Sequence, residues 1–144
     1  MRERFQGLEW LKLCRLPAVI YYAVASADGR ADHYEEERFL EHVTQSRPVD
    51  LLVRLVFDNV VEQGRDAIKL TEAERDYATY VAEMGAVLRE RLPEDERRSF
   101  LAGLLGLGHH VAAASGGFFG LGSKVSAAES ARLEELSMDL GWAS

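Results

Sequence analysis

The sequence predicts an all-α fold of about seven helices, and three observations support that reading. Apolar residues recur at spacings of three and four along most of the chain, and no stretch alternates like a half-buried strand. Each of the 3 prolines stands where a helix could begin. Three helix starts share one grammar of basic residue, apolar residue, cap residue and, three positions on, glutamate.

The elements follow in order. Phe5, Leu8, Trp10, Leu11, Leu13 and Leu16 predict a short, mostly buried first helix. Pro17 suits the first turn of a second, because its missing N–H would have no partner there in any case. Val19, Ile20, Ala23, Val24 and Ala27 carry that helix to Asp28-Gly29, where glycine accepts a helix C-terminus. Asp32 caps a third helix with Phe39, Leu40 and Val43 as its buried stripe. Pro48 opens a fourth, with Leu51, Leu52, Leu55, Val56 and Val60 on one side, and Gly64 closes it. Thr71 caps a long fifth helix running through Tyr77, Tyr80, Val81, Met84, Val87 and Leu88 to Pro93.

Glu94, Asp95 and Glu96 suit the positive end of a sixth helix, which buries Phe100, Leu101, Leu104 and Leu105. Gly103, Gly106 and Gly108 each cost this helix about 1 kcal/mol of propensity, which predicts close approach of another backbone. Ser115 to Gly122 reads as a glycine-rich loop carrying Phe118, Phe119 and Leu121. Ser126 caps the last helix, with Leu133, Leu136 and Leu140 inward, Gly141 at its end and Trp142 beyond.

Composition narrows the function. At 144 residues the chain suits one domain, 1–144, that buries roughly two thirds of its unfolded surface. The net charge of −7 argues against nucleic acid and is compatible with cations or basic partners. The single cysteine, Cys14, excludes an internal disulfide and reads as packed. Phe100 to Ser123 carries no formal charge, but His109, His110 and seven glycines make it a poor membrane span. The charged start, Met1 to Gln6, lacks a signal-peptide core, and a cytoplasmic location is the expectation.

The repeated helix start is the most informative motif. Arg30-Ala31-Asp32-x-x-Glu35, Lys69-Leu70-Thr71-x-x-Glu74 and Lys124-Val125-Ser126-x-x-Glu129 each form a capping box on the plain reading, contributing about 0.5 to 2 kcal/mol per cap. The middle copy carries no function on that reading. The first and third follow small-residue helix ends, Val24 to Gly29 and Val111 to Gly116, and read as two duplicated helix-turn-helix halves.

The segment Ala27-Asp28-Gly29, followed after a short gap by Asp32 and Glu35, resembles the signature of the tellurite-resistance TerB-like family. Lys124 to Glu129 resembles that family's second half, so the resemblance spans residues 17 to 141. It implies an all-α fold of about seven helices, no established enzymatic activity and a link to tellurium-oxyanion and other chemical stress. It also implies divalent-metal binding by acidic residues at the helix junctions, carried here by Asp28, Asp32, Glu35 and Glu129. The chain departs from the pattern at Ala31, in place of a larger aliphatic residue, and at Ser115, which removes a carboxylate from the second junction.

Asp28, Asp32, Glu35 and the adjacent Glu36 offer the oxygen donors that Ca²⁺ or Mg²⁺ requires, although their spacing is not that of an EF-hand loop. Capping and turn roles alone account for the same residues. His109 and His110 point about 100° apart on a helix and are poorly placed to chelate one ion, one facing the core and the other the surface. The sequence contains no Gly-x-Ser-x-Gly elbow and no phosphate-binding loop, which points away from an enzyme. A hydrolase using these carboxylates around a metal is the weaker option. The remaining expectation is a binding module with a protein partner or a second copy of itself. Phe118, Phe119, Leu121 and Trp142 are its candidate contact surface, and a ligand-free scaffold is the alternative.

Overall fold

A computed structural model describes residues 1–27, 33–117 and 126–142, with side chains described throughout except at 33, 34 and 114–117. Among the described residues it is all-α, with seven α-helices and no strand. They are α1 (Gly7–Ala25), α2 (His33–Gln45), α3 (Leu51–Gln63), α4 (Glu72–Arg75), α5 (Tyr77–Arg91), α6 (Glu94–Gly117) and α7 (Ala127–Asp139). Single 3₁₀ turns occupy Arg2–Arg4 and Gly64–Ile68. The helix number agrees with the sequence, but several of the boundaries do not.

The first correction is at Pro17. The two expected helices, 5–16 and 17–27, are one continuous helix with Pro17 inside it. From Leu13 to Ala25 this helix is buried almost all round, as expected of a helix at the centre of a fold. Burial of that many side chains, at about 1.5 to 3 kcal/mol for each large aliphatic one, outweighs the roughly 3 kcal/mol a proline costs in a helix interior. The N-terminal half corrects a second expectation: Leu8 and Leu11 are 66% and 60% exposed.

The second boundary correction is at Asp76. The expected long fifth helix is broken into α4 and α5 by Asp76, whose ψ of 63° leaves the helical range. Neither glycine nor proline marks that break. Two different anchors explain it, because α4 is fixed by an ion pair to α1 while α5 runs antiparallel along α1. Glu9–Arg91 (3.1 Å), Lys12–Glu83 (2.7 Å) and Arg15–Glu74 (2.8 Å) form a charged seam along that edge. The Tyr80 hydroxyl donates to the Lys12 carbonyl (2.7 Å) in the same seam.

Other starts and stops follow local chemistry. Asp50, not Pro48, sets the start of α3, its carboxylate accepting the Val53 N–H (3.1 Å). Gly64 ends α3 with a positive φ of 61°. The helix α6 continues through Ser115 to Gly117, where a loop was expected. At the end of α7 the Gly141 N–H reaches the Met138 carbonyl and the Trp142 N–H the Ser137 carbonyl. With Gly141 at φ 83°, this is a Schellman ending.

Packing places α1 against α3, α5, α6 and α7, while α2 lies mainly on α6 and α3. Phe39 of α2 stacks on Tyr21 of α1 with ring centroids 4.8 Å apart. The glycines of α6 admit side chains, correcting the expected backbone contact: a Cβ at Gly103 would meet Val53, and one at Gly108 would meet Leu133 and Ile20. Gly106 faces open space. The close backbone approach occurs on α5, where a Cβ at Gly85 would sit 2.6 Å from the Asp139 carbonyl oxygen. No helix among the described residues is long and apolar enough to cross a membrane.

Candidate functional site

The three repeated glutamates share a physical property. Glu35 is 0% exposed, Glu74 8% and Glu129 1%, and with Arg97 they make up the buried charged residues of the described chain. Each occupies the third position of its helix, where the macrodipole and free N–H groups favour a carboxylate. At the middle copy the Thr71 N–H donates to Glu74 Oε1 (2.8 Å) and the Glu74 N–H to Thr71 Oγ1 (3.2 Å). At the third, the Glu129 N–H donates to Ser126 Oγ (3.1 Å), whose hydroxyl donates to Glu129 Oε1 (3.0 Å).

The middle glutamate has a cation of its own. Arg15 grips it through Nε (2.8 Å) and Nη2 (3.2 Å), and also donates to Gln63 Oε1 and the Lys69 carbonyl. Burial alone pushes the Glu74 carboxyl up, but Arg15 and the Thr71 N–H outweigh it and hold the group below its ordinary value. The pair clasps α1 to α4. The sequence motif did not reveal Arg15, which is 59 residues from its partner.

The third copy lies beside the end of α1. Arg132, three residues after Glu129, donates through Nη1 to the Ala23 carbonyl (2.6 Å) in the last turn of α1. The side chains of Leu133 and of Ile20 and Val24 of α1 all border Gly108 of α6. The first half of α7 thus lies beside the end of α1, from which the chain runs to α2 and Glu35. Asp28 and Asp32, the other predicted ligands, lie outside the described residues. Among the described residues no group of three or more His, Cys, Asp or Glu side chains is arranged to hold a metal ion. Glu36, considered beside them, forms an ion pair with Arg65 (3.0 Å).

Of the predicted contact residues, Phe118, Phe119 and Leu121 lie outside the described residues. Trp142 is half-buried, packed against the core, with the Arg98 guanidinium 4.5 Å above its ring. It closes one end of a cleft of about 490 Å³ between α6 and α7, floored by Leu105, Gly106 and Leu133. Sequence reasoning did not anticipate that cleft, which only the pairing of the two helices creates.

The histidines also depart from expectation, because both His109 and His110 are exposed. His110 lies against His42 of α2, ring centroids 4.4 Å apart. The sequence separates these two by 68 positions and holds no signal for the pairing. Cys14 is buried as expected, and burial pushes its thiol up to about 11.

Compared with known proteins, the chain matches no family model, no curated protein and no solved structure.

Proposed function

We propose that this chain is a non-catalytic, stress-associated binding module of the TerB-like kind, taking a hard divalent cation at the helix junction between residues 28 and 35. The observation that supports it most is the matched burial of Glu35 and Glu129 at the third position of α2 and α7. Burying a carboxylate costs free energy that hydrogen bonds and opposite charge offset; at the middle copy Arg15 supplies that charge, and at the third the Ser126 hydroxyl donates to Glu129. The junction residues Asp28, Asp32 and Glu35 offer oxygen donors alone, a set that suits Ca²⁺ or Mg²⁺ better than Zn²⁺ or Cu²⁺. The resemblance adds Glu129, at the start of α7, to that set.

Calorimetric titration with Ca²⁺, Mg²⁺ and Mn²⁺ tests the reading. The expected result is saturable heat and a raised Tm for at least one ion. Asp28→Asn and Glu35→Gln would lose that heat, and Glu74→Gln would keep it. Absence of heat and of any Tm shift with all three ions would end the proposal.

The runner-up is a ligand-free scaffold that assembles through Phe118 to Leu121 and Trp142. It is favoured by the place of Trp142 in the lining of the α6–α7 cleft. A Trp142→Ser chain that keeps its helical signal but loses self-association in sedimentation would support this reading over the first.

A further inference from the structure

We infer that the seam between α2 and α6 is a proton-sensitive latch built on the imidazoles of His42 and His110. These helices form the most extensive interface of the fold, and the two rings meet across it, 4.4 Å apart with planes inclined by 33°. The His42 ring also lies 6.1 Å from the Phe57 ring of α3 in an edge arrangement at 72°. His42 is thus half-buried beside an aromatic ring and a second imidazole, while His110 is open to solvent.

As neutral rings the two stack without an electrostatic penalty. As imidazoliums they place two positive charges side by side at the joint between helices. The surrounding groups do little to relieve that repulsion. From α2, Arg38 and Glu41 border the same small cavity and are paired with each other at 3.5 Å, and Gln45 and Ser46 are neutral. The α3 side contributes Phe57, and α6 contributes His110 itself. His109 turns away to line the α6–α7 cleft. Nor does the pair read as a metal site. Its rings lie nearly face to face, and no third ligand joins them among the described residues.

Burial, and secondarily the charge of His110, hold the His42 imidazole below its ordinary value. A group with lowered proton affinity in the folded state binds protons more readily when unfolded. Stability is therefore full above the ordinary imidazole range near pH 6.5 and is lost as the pH falls through it. Protonation loosens the grip of α2 on α6 at this end of α2, without reference to any cation.

The test uses the full chain, wild type and His110→Gln, with NMR titration of the His42 ring and thermal melts from pH 8 to pH 5.5. In the wild type the His42 midpoint lies below the ordinary value, and it rises in His110→Gln. Over the same interval the wild-type Tm falls by roughly 3 to 5 °C, and by a smaller amount in the variant. Amide exchange in α2 quickens at pH 5.5 in the wild type and much less in the variant. An unchanged His42 midpoint, or an identical fall in Tm in both proteins, would overturn the inference. His110 is exposed, so its replacement tests the latch without risking the core; His42→Gln, if it folds, shows the same flattened response.

Discussion

Arg15 joins four groups from three parts of the chain: both oxygens of Glu74, the amide of Gln63 and the Lys69 carbonyl. Arg15→Met would leave Glu74 charged and nearly buried, with an expected cost of about 3 kcal/mol in denaturant unfolding at pH 7. The double variant Arg15→Met/Glu74→Met should recover most of that loss, because no buried charge then remains. The same pair sets an acid response. The folded-state carboxyl of Glu74 is held below its ordinary value, so its contribution is full above the unfolded value of 4.5 and is lost as the pH falls below it. Glu74→Gln should flatten the stability profile of the chain in that acid window. At Cys14, a thiol raised to about 11 by burial predicts negligible reaction with a disulfide reagent at pH 8 until the protein unfolds.

At the scale of elements, glycine has opposite consequences on two helices. Gly106 of α6 faces open space, and Gly106→Ala should stabilise the protein by up to about 1 kcal/mol through helix propensity. Gly85 of α5 lies where α7 ends, and an added methyl would sit 2.6 Å from a backbone oxygen that cannot step aside like a side chain. Gly85→Ala should therefore destabilise by about 1 to 3 kcal/mol, and thermal melts of the two variants would move in opposite directions. The sequence attached the close approach to α6, because three glycines there break the expected propensity. It passed over Gly85 because one glycine among good helix formers carries no pattern. Likewise Pro17 read as a helix start, since no local rule weighs the burial of the turns on either side. The caps were more legible: Ser126 and Thr71 act through hydrogen bonds that span three residues, and spacing alone reveals them.

Across the whole molecule, α1 is the axis on which α3, α5, α6 and α7 converge. Its buried stretch from Leu13 to Ala25 should hold the slowest-exchanging amides, opening only with global unfolding. Leu16→Ala, at a fully buried position there, should cost about 2 to 5 kcal/mol in denaturant unfolding. At this scale the three glutamates of the repeated motif also separate. Alike in local pattern, they meet different surroundings: Glu74 pairs with Arg15 of α1, while Glu129 opens a helix whose Arg132 reaches the Ala23 carbonyl near the end of α1.

The residues by themselves determined the all-α class, most helix starts and the three stations where a glutamate stands at the third position of a helix. Those features depend on periodicity and on hydrogen bonds between near neighbours, which a linear reading contains. Tertiary structure decided that Pro17 lies inside a helix, that Arg15 pairs with Glu74, and that His42 meets His110. Each of those depends on which helices lie side by side, because contact energy is set by distance in space rather than along the chain.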